Sequence, residues 1–117
     1  MTPVVHGIRN CDTVRKARAW LASAAIEHGF HDHGRDGVDQ DVLRRAVAEH
    51  GWEAVLNRRG TTFRGLPAAV RDDLDEERAA ALMLAHPSTI RRPVLDLGDR
   101  TVIGFSDATY AALFGRT

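Results

Sequence analysis

The first thirty residues constrain the fold more than any other stretch. Val4-Val5-His6-Gly7-Ile8 is short, apolar and β-rich, and reads as a strand. From Thr13 the period changes. Val14, Ala17, Leu21 and Ala24 or Ala25 recur at helical spacing, with Arg15, Lys16 and Arg18 on the other side. Asn10 or Asp12 suits the cap of that helix, and Gly29 follows its end. Gly29-Phe30-His31-Asp32-His33 then reads as a second short strand. Strand, helix and strand in so few residues imply a parallel pair with a right-handed crossover.

The sole cysteine, Cys11, falls at the first strand–helix junction. Two roles are open to it. Free cysteine is among the most buried residue types and packs as a small hydrophobe. At a helix N-terminus, however, unpaired N–H groups and the helix dipole favour a thiolate. The polar neighbours Asn10, Asp12 and Thr13 are unlike the middle of a core strand. Asp12 opposes a thiolate electrostatically, so arginines must outweigh it.

Further along, Gly34-Arg35-Asp36-Gly37 is turn-like. Asp39 begins a second helix with Val42, Leu43, Ala46 and Val47 on its apolar face, and Gly51 is placed to stop it in the left-handed conformation. Residues 52–56 read as one more turn, packing Trp52 and Leu56 inward. Residues 57–64 are irregular or cap a short helix running to Leu66. Leu74–His86 is an alanine-rich helix with Asp73 or Asp75 near its start and Pro87 beyond its end. Val94–Leu97 and Thr101–Gly104 form a hairpin about Gly98-Asp99, and Ser106 begins a last helix that buries Tyr110, Leu113 and Phe114. The order is βαβ, a helical insertion over about 39–90, then ββα, within one α/β domain of residues 1–117 with a mixed four-stranded sheet.

Sixteen basic and sixteen acidic residues cancel, so composition gives no support for nucleic-acid or membrane-surface binding. No apolar run approaches the roughly 20 residues of a membrane span, and Met1–Ile8 has no leader pattern. One cysteine allows no internal disulfide. The expectation is a cytoplasmic monomer with a reduced thiol.

Arginine supplies every basic residue except Lys16, giving many forked donors suited to oxyanions. Arg91-Arg92-Pro93 reads either as two solvated arginines before a strand or as an X-Pro bond in the cis form, presenting a guanidinium to a ligand. Asn57-Arg58-Arg59-Gly60-Thr61-Thr62 reads as a capped loop or as an anion cradle. Of the histidines, His28, His31 and His33 lie close together, and strand alternation puts His31 and His33 on one face. A metal site is not expected there, for want of further ligands. Phosphate-loop, serine-triad and paired-cysteine zinc motifs are all missing.

Gly7-Ile8-Arg9-Asn10-Cys11-Asp12-Thr13, Asn57-Arg58-Arg59-Gly60-Thr61-Thr62-Phe63, Arg91-Arg92-Pro93 and Gly104-Phe105-Ser106 come in the order and spacing of one family. Across essentially its whole length the chain resembles the arsenate-reductase-like (ArsC/Spx) family, and its YffB branch most closely. The resemblance implies a thioredoxin-like fold with Cys11 as the redox-active thiolate. It further implies that Arg92 holds the thiolate and an oxyanion, and that Pro93 is a cis-proline facing Cys11.

Branch members look like glutathione-dependent thiol reductases. That implies glutathione, or another small thiol, as co-substrate, with glutaredoxin a further partner and no permanently bound cofactor. Asn10 and Thr13 would supply loop hydrogen bonds, and Arg59 would assist Arg92. The arginines that arsenate reductases add around their oxyanion are replaced, with Asn57 in the middle segment and Phe105 or a neighbour after the last strand. Arsenate reduction coupled to glutaredoxin therefore ranks below a general thiol oxidoreductase. The Cys-x-x-Cys switch of Spx regulators is absent, since position 14 is Val14. A regulator that binds RNA polymerase is the alternative from another class.

Overall fold

The computed structural model describes residues 1–116. Strand β1 (Val4–Gly7) passes into α1 (Asp12–Ser23), which buries Val14, Ala17 and Leu21 completely. Burying the Leu21 side chain alone is worth roughly 1.5–3 kcal/mol. β2 (Gly29–Asp32) then lies parallel to β1, with Val4 opposite Gly29 and Gly7 opposite Asp32. β3 (Val94–Asp96) pairs antiparallel with the other side of β1, and β4 (Thr101–Ile103) pairs antiparallel with β3. The strand order β2-β1-β3-β4 makes a mixed four-stranded sheet of thioredoxin-like type. The last helix, α8 (Asp107–Leu113), is capped by Ser106, whose hydroxyl accepts from the Thr109 N–H at 3.1 Å.

Between β2 and β3 the chain is helical. α2 (His33–Asp36) is followed by α3 (Gln40–His50), α4 (Trp52–Val55), α5 (Thr61–Arg64), α6 (Ala68–Arg71), α7 (Glu76–Ala85) and a 3₁₀ turn at Pro87–Thr89. The two-residue period of a strand sends neighbours to opposite faces, and two cores result. On one face Val5 and Leu95 pack with Val14, Leu21 and Tyr110. On the other Val94 packs with Val42, Leu43, Ala46, Leu56, Leu82, Met83 and Ile90.

Polar contacts fasten the second layer. The Arg45 guanidinium meets both carboxylate oxygens of Asp96, at 3.0 and 3.1 Å. Glu49 accepts from the N–H and hydroxyl of Thr101, at 3.1 and 3.0 Å.

Several local expectations are corrected. β2 stops at Asp32, because that carboxylate accepts the N–H groups of Gly34 and Arg35 (2.8 and 3.3 Å) and so turns residues 33–36 into α2 rather than a simple turn. His33 is therefore not a strand partner of His31. Gly51 closes α3 with φ 84° and ψ 146°, a positive φ with an extended rather than helical ψ. The alanine-rich helix starts at Glu76 instead of Leu74, since the Asp75 carboxylate accepts from the Arg78 N–H at 2.8 Å and fixes the start. A further one-turn helix, α6, follows Pro67. No helix among the described residues is long and apolar enough to cross a membrane.

Candidate active site

Cys11 takes the cap position of α1 itself, in place of Asn10 or Asp12, with an extended backbone (φ −109°, ψ 123°). A cap side chain faces the N–H groups of the second and third helical residues, here Thr13 and Val14. No side chain closes a full hydrogen bond at this helix start. The amides instead lie beside the sulfur, where they favour its anion.

Partial burial by itself pushes the Cys11 thiol up. The Val14 N–H, a hydrogen bond from Arg92, the Thr13 N–H and the Arg92 charge all act the other way, and the net direction is down from the ordinary thiol value. Asp12, the neighbour of wrong sign, is paired with Arg15 one turn on.

Arg92 reaches this point from the far end of the chain. The Arg92–Pro93 peptide is cis, Pro93 is buried, and its carbonyl accepts from the Gly104 N–H at 2.8 Å. One Arg92 Nη donates to the Ser88 carbonyl at 3.3 Å, while its buried Nε has no partner. The middle segment is tied in alongside. A bridge between Leu56 and Ile90 is flanked by Asn57 N–H to Thr89 O (2.7 Å) and Arg91 N–H to Val55 O (2.8 Å). An open cleft of about 250 Å³ results, lined by Cys11, Thr13, Asn57, Ile90, Arg91, Arg92 and Gly104. It contains a thiol, a hydroxyl, an amide and two guanidinium groups, and no carboxylate. A nucleophilic sulfur here can attack from a surface that attracts anions.

Of the residues singled out from the sequence, Cys11, Thr13 and Arg92 line this cleft, and Pro93 is fully buried and does not line it. Asn10 and Arg59 do not line it, and both are exposed. The Arg59 N–H donates to the Asn57 side chain at 3.1 Å, and of residues 57–59 it is Asn57 that lines the cleft. Arg58 is also directed elsewhere, stacked 5.6 Å over Trp52 and 3.7 Å from Glu53. Asn57, Ile90, Arg91 and Gly104 are added by the structure. Ile90 belonged to no motif read from the sequence; the other three did, but which member of each run lines the cleft goes with the Leu56–Ile90 bridge. A larger hollow of about 430 Å³ beside α6 and α7 is lined by Ala69, Leu74, Arg78 and neighbours, with no thiol, hydroxyl or imidazole, and offers no comparable chemistry.

A second titratable cluster lies on the insertion face of the sheet. The parallel register sets His6 beside His31, with rings stacked at 4.8 Å, and His33 stands 6.4 and 6.3 Å from them. His28 is absent from this group and bonds to the Ile26 carbonyl at 3.0 Å. His6 and His33 are buried, and three of their ring nitrogens have no partner. Burial first, then the neighbouring imidazoles and Arg92, lower His33 to about 4, with Asp32 opposing. His6 is lowered as well, chiefly by burial and then by His31. Among the described residues no group of three or more His, Cys, Asp or Glu side chains converges on a metal position.

A mixed sheet of this order, with a cysteine capping the first helix and a cis-proline opening the third strand, defines a thioredoxin-like protein built around one thiol. The chain belongs to the ArsC family, whose model matches residues 6–113. A solved YffB protein is 55% identical, with TM-score 0.91 over 95% of this chain and 97% of that one. An arsenate reductase (ArsC) related protein from Brucella melitensis is 46% identical, with TM-score 0.76 over 97% and 95%. The global transcriptional regulator Spx of Streptococcus pyogenes is 28% identical over 92% of this chain and 81% of its own length.

Proposed function

We propose that the protein is a thiol–disulfide oxidoreductase with Cys11 as its only nucleophile and glutathione, or another small thiol, as co-substrate. The observation that carries this reading is the half-buried Cys11 sulfur in an open cleft, its anion favoured by the Val14 and Thr13 N–H groups and by Arg92. The Cys11 thiolate attacks one sulfur of a disulfide, forming a mixed disulfide and expelling the other half as a thiolate. A second external thiol then attacks the mixed disulfide, releasing Cys11 and leaving with the bound half as a new disulfide. Val14 stands where a resolving cysteine would have to be, so this second step comes from outside the chain. Electrons therefore pass from external thiol to substrate in two exchanges.

Alkylation of Cys11 as a function of pH tests the first step, with an expected midpoint below the ordinary ~8.5. Intact mass after incubation with oxidised glutathione reads the mixed disulfide that the same step forms. One glutathione adduct is expected, lost in Cys11→Ser. A midpoint at or above ~8.5 together with no adduct rejects the reading.

A regulator reading is favoured by one observation, the match to Spx along nearly the whole chain. Polymerase pull-down with wild type and Cys11→Ser separates the two. Binding indifferent to the substitution, with no thiol exchange, supports the regulator. Arsenate stays the weaker substrate candidate, because Asn57 rather than an arginine faces the cleft from the middle segment.

A further inference from the structure

We infer that Arg91 sets the charge selectivity of the cleft, making it specific for disulfides whose flanks carry carboxylates. This inference rests on the oxidoreductase reading and names the substrate class of the same site.

The two neighbouring arginines have different situations. Arg92 is half-buried, favours the Cys11 thiolate and donates to the Ser88 carbonyl at 3.3 Å. Its charge is committed to the nucleophile. Arg91 lines the same cleft but is exposed, and its guanidinium has no ion pair or hydrogen bond among the described residues. Arg15 and Arg58 are paired with Asp12 and Glu53, and Arg59 does not line the cleft. The main chain of Arg91 is nevertheless held by its N–H bond to the Val55 carbonyl, 2.8 Å away. A fixed backbone carrying an unpaired forked cation, at the mouth of a cleft without a carboxylate, suits recognition of a carboxylate on the incoming molecule. Arg91 touches the flank of the substrate rather than the reacting sulfurs, so it governs selection and leaves the thiolate unchanged.

The test measures mixed-disulfide formation at Cys11 with three small disulfides: anionic oxidised glutathione, neutral 2-hydroxyethyl disulfide and cationic cystamine. Arg91→Ala is expected to slow the anionic reagent about tenfold at low salt. The neutral reagent keeps its rate and the cationic one gains. Arg91→Lys keeps most of the preference, and Arg91→Glu inverts it. The unchanged neutral rate also shows that the variants are folded and that the thiol is intact.

A thiol reactive toward all three, with the same charge preference in wild type and in every Arg91 variant, overturns the inference and leaves the oxidoreductase reading standing. A wild-type thiol inert even to the neutral reagent overturns both.

Discussion

The Cys11 cleft and the His6–His31–His33 cluster are both titratable groups close to β1, and they treat charge in opposite ways. At Cys11 burial is partial and donors surround the sulfur, so the ionised form is favoured despite desolvation. At His6 and His33 burial is nearly complete and three of the four ring nitrogens lack partners, so the neutral form is favoured. Desolvation acts in both places. The depth of burial and the partners available together decide whether the charged form gains or loses. The open region can do chemistry with its charge, whereas the closed one stores a penalty against acid.

The largest effect expected from that contrast is chemical. Cys11→Ser should abolish mixed-disulfide formation entirely while moving the unfolding midpoint in urea very little. No side-chain cap bond exists at this helix start to lose, and serine is itself a good cap. A marked loss of stability would mean that Cys11 serves packing, and the contrast between the regions would fail.

The histidine side is broken by acid. In the unfolded chain His33 takes a proton near 6.5, and in the folded protein only at about 4. Between those values the unfolded state binds the extra proton, so stability present above 6.5 is lost progressively as the pH falls through about 4. For His33 alone the full loss is about 3 kcal/mol. The groups acting on it are His6, His31 and Arg92, which disfavour the proton, and Asp32, which favours it. Urea unfolding between pH 7 and 4 reads the slope. His33→Phe should flatten it, and an unchanged slope would show that the penalty lies elsewhere.

Packing beneath the junction supplies a third test. A Cβ placed on Gly7 would come 2.6 Å from a Val14 methyl carbon, and Val14 is fully buried. Gly7→Ala should therefore cost about 1–3 kcal/mol by overpacking. Because Val14 also supplies an N–H to the Cys11 sulfur, the alkylation midpoint should rise at the same time. A stability loss with no change in midpoint would uncouple the helix position from the thiol.

The legible and illegible parts of the sequence divide along the same line. The β1–α1 junction was readable because one strand period gives way to one helical period within ten residues, with the cysteine between them. The apolar face of α3 was readable for the same reason, since Val42, Leu43, Ala46 and Val47 are all buried. The histidine cluster was only half readable. His6 joins it through strand register, a pairing between segments more than twenty residues apart, and His33 joins through a helix turn made by the Asp32 carboxylate. In the cleft, Asn57 and Arg91 were visible as members of polar runs. Local pattern does not say which residue of such a run faces inward. That choice is made by Leu56 and Ile90, two apolar residues that bridge and bury across the insertion.

Asp12 gives the smallest expected effect and the sharpest check on the electrostatics. By sequence distance it is the acid closest to the thiol, and a carboxylate beside Cys11 should resist its ionisation. In the structure Asp12 is paired with Arg15, whose guanidinium also donates to the Arg9 carbonyl at 3.3 Å. The Asp12 side chain is well exposed, so solvent screens what field the pair leaves. The groups that act most on the Cys11 thiol are its own burial, the Val14 and Thr13 N–H groups and Arg92. Asp12→Asn should therefore leave the alkylation midpoint almost where it is and change stability by no more than about 0.5 kcal/mol. Arg92→Ala, by contrast, should raise the midpoint clearly, because it removes both a hydrogen bond and a charge from the sulfur. If the Asp12 variant shifts the thiol downward as far as the Arg92 variant shifts it upward, the two side chains weigh equally on the sulfur. Proximity along the chain would then count for as much as the guanidinium, and the Asp12–Arg15 pair would not be shielding the thiolate.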